Sequence, residues 1–304
     1  MIGNSQGSVS YRLRLFLAVD LQNSTALKFR FFCEGMSYWR SFLAGFYREF
    51  ATVFLESLDG IGKKPGVGSL VPVQIWKSSG DEVVMVVDLR HRRHLKYYLK
   101  AFRDGVRRYN ATLAEKDPEI FRVGGETLRM RLKPRAWLAD FPINNMEFST
   151  PHGTLERSDD NKMPWSLEIP DYFGPAMDVG FRLGSLATSR KFVLSVETVW
   201  ALVGEEDETI KDFRLFMEGR VPLKGVRGGE SYPVFWLDLE KEIPDEDAWT
   251  GLRPFASNTD YEKIEKLCRG FIGMDKNPLL RPIFIDDEKL PPAFSDTMYR
   301  IQEV

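Results

Sequence analysis

Residues 11–25 read YRLRLFLAVDLQNST, in which polar and apolar residues first alternate and then give way to an unbroken apolar run. This pattern predicts a β-strand that enters a protein core, because the central strands of a sheet bury both of their faces. The strand ends at Asp20, and Ser24 or Thr25 is positioned to cap a following helix. A carboxylate is therefore expected at the end of a buried strand.

The rest of the chain alternates helical and strand-like patterns. A long helix is predicted from Ser24 to about residue 58, with Gly35 as a possible break, and residues 71–89 (VPVQIWKSSGDEVVMVVDL) predict a hairpin around a Ser-Ser-Gly-Asp turn. Residues 141–169 carry clusters of Pro, Asn, Ser and Asp and are predicted to form a long irregular insertion. The remaining predicted elements are a helix at 91–116, a strand at 127–139, a helix at 174–190, a strand at 191–196, a helix at 197–203, a hairpin at 220–239 and a helix at 259–273.

This order of elements predicts an α/β fold, an α+β sandwich in which a mixed sheet carries helices on one side. Two tight hairpin connections exclude a doubly wound parallel sheet, whose strands need long crossovers. Neither GxGxxG nor GxxxxGK[ST] occurs in the chain, which excludes both common glycine-rich phosphate loops.

The composition is that of an ordinary globular protein, with 43% hydrophobic and 28% charged residues and a net charge of -2. Nothing in this balance favours a nucleic acid or an anionic membrane as a partner. Two cysteines, Cys33 and Cys268, give no disulfide framework, and the three histidines lack partners at zinc-ligand spacing. The polar N-terminus and the lack of a long apolar run predict a soluble, cytoplasmic protein.

Two carboxylates are candidates for chemistry. Asp20 ends the first strand, and Asp81 follows Gly80 in the turn of the predicted hairpin. If the two strands are neighbours, both carboxylates emerge at one edge, where they could hold Mg²⁺ together with the phosphates of a substrate. An aspartate at a strand end is also an ordinary cap or turn residue, and these two positions alone leave that interpretation open.

Four segments in order give this pair a context. FLAVDLQNST (16–25) and WKSSGDEVV (76–84) resemble the two metal-binding segments of class III adenylate and guanylate cyclases. DYFGPAMDVGFRLGSLA (171–187) resembles the D-x-x-G-x-x-V-N-x-A-x-R-L segment of that family, and VPLKGVRGGESYPVFWL (221–237) resembles its closing K-G hairpin.

The resemblance implies a fold of the class III cyclase catalytic-domain type. The catalytic domain would cover residues 11–242, between a flexible N-terminus at 1–10 and a C-terminal extension at 243–304. The activity that it implies is the closure of a nucleoside triphosphate into its 3′,5′-cyclic monophosphate with release of pyrophosphate.

The resemblance also implies roles for individual residues. Asp20 and Asp81 match the two metal ligands, which would hold two Mg²⁺ or Mn²⁺ ions per site. Lys77 and Asp171 match the pair that reads the base edge in adenylate cyclases. Since the family builds each active site between two subunits, the implied assembly is a homodimer with two equivalent sites.

Three further positions carry the implied catalytic roles. Arg182 matches the arginine that stabilises charge on the phosphates, and Asp178 lies four residues before it on the same helix face. The family usually has asparagine at the position of Asp178. It also often has a lysine shortly after the K-G step, where Arg227 is the nearest cation in this chain.

Among class III cyclases, the chain most resembles the stand-alone bacterial pyrimidine cyclases of the Pycsar antiphage system. That resemblance implies UTP as the favoured substrate, CTP as the next, and a separate effector that senses the cyclic nucleotide. Bulky aromatic side chains at the pocket wall would favour a single-ring base, although the same residues also suit a helix core. These aromatics belong to the first predicted helix: Phe31, Phe32, Trp39, Phe42, Phe46, Tyr47 and Phe50.

Three other functions remain open from the sequence. Lys77 and Asp171 equally suit an adenylate cyclase that makes cyclic AMP. SSGDEV (78–83) is similar to the GGDEF motif of diguanylate cyclases but lacks its second glycine. A non-catalytic nucleotide-binding dimerisation module is the third possibility, and the presence of Asp20, Asp81 and Arg182 together argues against it.

Overall fold

The structure is a computed structural model, and it describes residues 11–34, 37–116, 121–123, 125–152, 167–204, 212–240, 254–255, 258–273 and 281–287. The predicted flexible segment 1–10 and most of the predicted extension 243–304 lie outside these residues, so the domain boundaries stay predictions. No helix within the described ranges has the length and apolar character that a membrane crossing requires.

The described residues form eleven strands: β1 (Arg12–Leu21), β2 (Gln74–Ser79), β3 (Glu82–Asp88), β4 (Arg122–Val123), β5 (Glu126–Thr127), β6 (Leu132–Phe141), β7 (Met146–His152), β8 (Leu167–Phe173), β9 (Lys191–Leu194), β10 (Leu215–Pro222) and β11 (Ser231–Asp238). Seven of them make one mixed sheet in the order β10-β11-β9-β6-β1-β3-β2. Its neighbours are antiparallel except for β6 and β9, which are parallel. β4–β5 and β7–β8 form two small sheets of their own.

The described helices are α1 (Ser24–Glu34), α2 (Ser37–Gly62), α3 (Arg92–Glu115), α4 (Pro175–Leu183), α5 (Val196–Val203) and α6 (Asn258–Ile272). A short 3-10 turn at Arg227–Gly229 lies between β10 and β11. A mixed sheet with helices packed on it confirms the predicted α/β class. The long first helix is confirmed as two helices, with the predicted break at Gly35 falling outside the described residues.

Strand β1 lies between β3 and β6 near the middle of the sheet and is buried along most of its length. Its side chains alternate between two apolar clusters, as a pleated strand requires. Leu15 and Leu17 face the larger cluster, on what we term the first face of the sheet. Phe16 and Ala18 face the smaller cluster, on the second face. Both faces are therefore covered, which explains the unbroken apolar run in the sequence.

The first face is covered by α2 and α3, whose aromatic side chains interlock. The rings of Phe50 and Phe102 meet edge to face with centroids 5.8 Å apart, and Phe54 packs on Phe102 in the same way at 5.3 Å. Gly105 allows this close packing, because a Cβ there would lie 3.2 Å from the Cα of Phe54. The aromatic-rich helix of the sequence is thus chiefly a core element.

The second face carries α4 and the β7–β8 hairpin, so the prediction of helices on one side only is wrong. Phe16 stacks on Trp137 with ring centroids 5.1 Å apart, and Tyr172 of β8 meets Phe16 edge to face at 5.2 Å. Gly180 brings α4 onto this cluster, because a Cβ there would lie only 2.2 Å from the Trp137 ring. A glycine in the middle of a helix therefore has a packing function here.

The composition predicted that residues 141–169 are irregular, but part of this segment forms regular structure. Antiparallel pairing from Met146 opposite Phe173 to His152 opposite Leu167 makes β7 and β8 a hairpin, while residues 153–166 lie outside the described part. Among the hairpin side chains whose burial is described, only that of Tyr172 is buried, and so the sequence shows no clear apolar alternation. The predicted helix at 174–190 is also shorter, because α4 ends at Leu183.

Gly180→Ala should destabilise the protein, because the added methyl group has no room beside Trp137. We expect a loss of about 1–3 kcal/mol in the free energy of unfolding, as for overpacked cores, measured by urea denaturation. Gly270→Ala in α6 is the matched control: nothing lies within 4 Å of its added Cβ, and a helical alanine should be neutral or stabilising. Equal effects of the two changes would contradict the packing role of Gly180.

Candidate active site

The structure brings Asp20 and Asp81 to the same end of two neighbouring strands. Asp20 lies opposite Glu82 in the β1–β3 ladder, and the amide of Leu21 donates to the carbonyl of Asp81 over 3.1 Å. Gly80 precedes Asp81 in the tight turn with a φ of 65°, a conformation that favours glycine. The register of β1 against β3 therefore places the two predicted metal ligands side by side.

Lys133 of β6 approaches the pair from the other side. It lies opposite Asp20 in the β1–β6 register and forms an ion pair with the Asp20 carboxylate. The pKa of Asp20 is raised, first by burial and further by the charges of Asp81 and Glu82, while the hydrogen bond and charge of Lys133 act in the opposite direction. Lys133 is not among the residues predicted from the sequence, because only the pairing of β1 with β6 brings it next to Asp20.

Two hydroxyl groups organise the Asp81 turn. Ser24 begins α1 as predicted, and its buried hydroxyl donates a hydrogen bond to the Asp81 carboxylate. The Tyr47 hydroxyl on α2 donates to the carbonyl of Gly80. Burial raises the pKa of Tyr47, and the negative charge of Asp81 raises it further. The start of α1 and the middle of α2 thus hold the turn that presents Asp81.

The donor set at this edge fits a hard divalent cation that shares its ligands with a substrate. Within the described ranges, no three His, Cys, Asp or Glu side chains form a complete metal cage. Mg²⁺ commonly takes one or two protein carboxylates and completes its shell with water and phosphate oxygens. Asp20 and Asp81 supply such carboxylates. Burial and then the charges of Asp81 and Glu82 raise the pKa of Asp20, and a cation between Asp20 and Asp81 would relieve the repulsion between these two carboxylates.

Lys77 and Asp171 come together from strands distant in sequence. Their ion pair joins Lys77 Nζ and Asp171 Oδ1 over 3.7 Å. Trp76 links the two strands, because its indole Nε1 donates to the carbonyl of Pro170 over 3.0 Å. The ammonium of Lys77 lies 5.0 Å from the centre of the Trp76 ring. Both charged groups remain partly open to solvent, with side-chain exposures of 49% and 27%, so they are available to a ligand.

The remaining predicted catalytic residues lie on α4 and in the β10–β11 loop. Asp178 and Arg182 are both exposed on α4, and neither side chain forms an ion pair with another described residue. Arg227 belongs to the 3-10 turn, but its side chain lies outside what the structure describes. Among the described contacts, no hydrogen bond or ion pair joins the Asp20–Asp81 edge to the Lys77–Asp171 pair. These role assignments remain predictions.

The predicted aromatic wall of the site is corrected by the structure. Phe31, Trp39, Phe42, Phe46 and Phe50 are buried in the first-face core, where they cannot line an open pocket. Phe32 is 72% exposed, and only Tyr47 has a described contact with the Asp81 turn. Local spacing could not separate a pocket wall from a core, because both predict apolar residues on one helix face.

Comparisons with known proteins returned similar structures only. No family model matches the chain, and no curated protein matches it. The adenylyl cyclase CyaB from P. aeruginosa is similar with a TM-score of 0.44 and 15% identity, over 78% of this chain and 99% of that one. The guanylate cyclase domain of RhGC from Catenaria anguillulae, solved with GTP, has a TM-score of 0.42 and 13% identity, over 75% and 97%.

A bacterial light-regulated adenylyl cyclase is also similar, with a TM-score of 0.49 and 9% identity, over 88% of this chain and 60% of that one. All three TM-scores are below 0.5 and all three identities are below 25%.

Lys133→Met should raise the pKa of Asp20, because the neighbouring carboxylates would then be opposed by no adjacent ammonium. Carbon-detected NMR titration of the side-chain carboxyl signals in metal-free protein measures this shift. Lys133→Arg, which keeps the charge, should leave the Asp20 titration close to that of the unchanged protein. If the methionine variant titrates like the unchanged protein, Lys133 does not neutralise Asp20 in solution.

Proposed function

We propose that the chain is a metal-dependent nucleotidyl cyclase. The observation that carries this proposal is the meeting of Asp20, Asp81 and Lys133 at one edge of the sheet. Two carboxylates and one ammonium form a set that suits a divalent cation and a triphosphate together. The ordered sequence motifs around these residues support the same interpretation.

The reaction needs one bond made and one broken. The 3′-oxygen of the ribose attacks the α-phosphorus, and the bond from that phosphorus to the bridging oxygen breaks to release pyrophosphate. Divalent ions held by Asp20 and Asp81 would supply activation of the 3′-hydroxyl and neutralisation of the phosphates. Ser24 orients the Asp81 carboxylate through a hydrogen bond from its hydroxyl. Lys133 forms an ion pair with Asp20, and its ammonium could bind a phosphate oxygen instead when the substrate is present.

Lys77 and Asp171 are proposed to bind the base. The pair offers a donor and an acceptor side by side, 3.7 Å apart. Uracil presents the complement through a carbonyl oxygen and the adjacent ring N–H, although cytosine and adenine can also satisfy such a pair. We favour UTP, with CTP next, because of the sequence resemblance to the Pycsar pyrimidine cyclases. The buried aromatics of α2 do not contribute to this choice.

A homodimer with shared sites is part of the proposal. Arg182 is exposed and forms no described ion pair, as expected of a side chain that completes a site on another subunit. Large apolar side chains are also exposed near the proposed base-binding residues and on α4. They are Ile75 on β2, Phe173 on β8, Phe148 on β7, which pairs with β8, and Phe181 on α4. A second copy that covered these side chains would remove apolar surface from water.

In the cell, we propose that the product is a cytoplasmic second messenger in bacterial antiphage defence. The cyclic nucleotide would be sensed by a separate effector protein, without direct contact between effector and cyclase. The support for this setting is the sequence resemblance alone, and the product assay described next decides whether the required nucleotide is made.

Purified protein incubated with Mn²⁺ and each of ATP, GTP, CTP and UTP in turn should convert UTP fastest, with products resolved by chromatography and mass spectrometry. Asp81→Asn should lower this rate by about 100-fold or more, because a metal-ligand oxygen is lost. Glu218→Gln, at an exposed ion pair on β10, is the control and should retain activity. If cyclic AMP is the main product, the protein is an adenylate cyclase, and if cyclic di-GMP is formed, it is a diguanylate cyclase. If no nucleotide gives a product, the proposal of enzyme activity is wrong.

Mixing two inactive variants tests the shared site. Asp20→Ala removes a proposed metal ligand, and Arg182→Ala removes the proposed phosphate ligand from the other subunit. If subunits exchange freely, half of the dimers are mixed and each has one intact site, so about a quarter of the full activity should return. The double variant Asp20→Ala/Arg182→Ala mixed with Arg182→Ala is the control and should stay inactive. If the mixture of Asp20→Ala with Arg182→Ala also stays inactive, each site lies within one subunit.

A further inference from the structure

A cavity lies at the far end of β1 and β6 from the candidate active site. Its volume is about 470 Å³, and it opens between β1, β6, α4, α5, the β10–β11 loop and the end of α6. Leu13 lines this cavity, whereas Asp20 lies seven residues further along β1, which is roughly 23 Å for an extended strand. Asp140, opposite Leu13, belongs to the first face, whereas Asp20 and Lys133 belong to the second. The cavity is thus separate from the proposed cyclase site.

The lining combines apolar walls with negative charge. The apolar lining includes the side chains of Leu13, Leu138, Val179, Val226 and Ile272, with further contributions from aromatic, proline and alanine residues. Three carboxylates also line the cavity, those of Asp140, Asp178 and Glu197, and no lysine or arginine is among its described lining residues. A volume of about 300–1,000 Å³ with mostly apolar walls and a few polar groups is typical of small-molecule sites.

Asp140 is the most firmly held of the three carboxylates. It is buried, and it accepts hydrogen bonds from the side-chain amides of Asn144 at 2.7 Å and Asn145 at 3.3 Å. Asn145 in turn accepts from the amide of Ala176 over 3.1 Å, which ties the carboxylate to the start of α4. Gly174 makes this approach possible, because its φ is 143° and a Cβ there would lie 2.5 Å from Asn145 Oδ1.

These contacts leave the charge of Asp140 without a cation. No described lysine, arginine or histidine forms an ion pair with it, and hydrogen bonds from neutral side-chain and backbone amides compensate a buried charge only in part. The pKa of Asp140 is raised to about 6, mainly by burial, with the charge of Glu197 acting in the same direction and hydrogen bonds from Asn144 and from backbone amides acting against them. At neutral pH the carboxylate is still mostly ionised, so a positively charged ligand would find a preformed partner.

We propose that this cavity binds a small organic cation, a primary or secondary ammonium on a compact apolar body. The ammonium would lie against Asp140, with Glu197 and Asp178 adding negative potential, and the apolar body would contact Leu138 and Val226. Three carboxylates repel phosphates and other anions, and the apolar walls suit a carbon skeleton better than a hydrated metal ion.

The proposal also gives Asp178 a role of its own. This residue stands where the cyclase-like motif has asparagine, and a carboxylate beside a triphosphate would be repulsive. Asp178 lines this cavity instead, at the first turn of α4. The ligand class is inferred from the cavity alone and does not depend on the proposed cyclase activity.

Phenethylamine is a suitable probe, with 2-phenylethanol as its neutral analogue and 3-phenylpropionate as its anionic one. Isothermal titration calorimetry at pH 7.5, without nucleotide or metal, should show binding of the amine, at least tenfold weaker binding of the alcohol and none of the acid. Asp140→Asn should weaken amine binding at least tenfold and remove the preference over the alcohol. Glu262→Gln, an exposed carboxylate on α6, is the control and should change nothing.

Two further variants keep the test decisive if Asp140→Asn disturbs folding, which circular dichroism would show. Glu197→Gln removes one charge from the cavity and should weaken the amine several-fold, while Val226→Phe fills the space and should abolish binding of amine and alcohol alike. Equal binding of amine and alcohol to the unchanged protein would overturn the proposal. Failure of the amine to bind at all would overturn it too, whatever the outcome of the nucleotide assays.

Discussion

The double antiparallel pairing of β1 determines where the chemistry of this protein lies. Asp20 is held opposite Glu82 on β3 and opposite Lys133 on β6 by backbone hydrogen bonds that run the length of the strand. A shift of one residue in either ladder would turn these side chains to the other face, among the helices. The two apolar faces of β1 prevent such a shift, because it would move Phe16 into the larger cluster and the leucines into the smaller one, and neither cluster is packed for the exchanged side chains. Core packing and site geometry are consequently one constraint.

The second face depends on two side chains that serve as supports. The ring of Trp137 packs directly against the backbone of Gly180, and this contact sets the distance of α4 from the sheet. Trp76 holds β8 through its indole N–H, and this contact brings Asp171 to Lys77. Neither tryptophan needs to touch a substrate for its loss to affect a site. The aromatic cluster of the second face therefore positions the charged residues that surround it.

Negative charge is compensated in different ways at the two ends of the β1–β6 pair, by an ammonium group at one end and by neutral amides at the other. At one end, Lys133 balances Asp20, and a divalent cation with a triphosphate would complete the set. At the other end, Asp140 accepts hydrogen bonds from neutral amides, among them the side chains of Asn144 and Asn145, and forms no described ion pair. Helix α4 runs between the two regions, since Gly184 approaches Arg135 and Ala176 contacts Asn145. Helix α4 thus borders both the proposed metal and triphosphate site and the proposed site for an organic cation.

Local patterns in the sequence determined most of the elements: the apolar run of β1, the Gly80 turn and the spacing of α3 each follow from residues within one segment. They also identified Asp20 and Asp81 as a pair. Tertiary structure alone decided that Lys133 joins this pair, that the aromatics of α2 are core, and that Asp140 borders a cavity. Each of these depends on which residues meet across strands or helices distant in sequence. Periodicity reports which side of an element is apolar, whereas strand register and helix placement decide what that side faces.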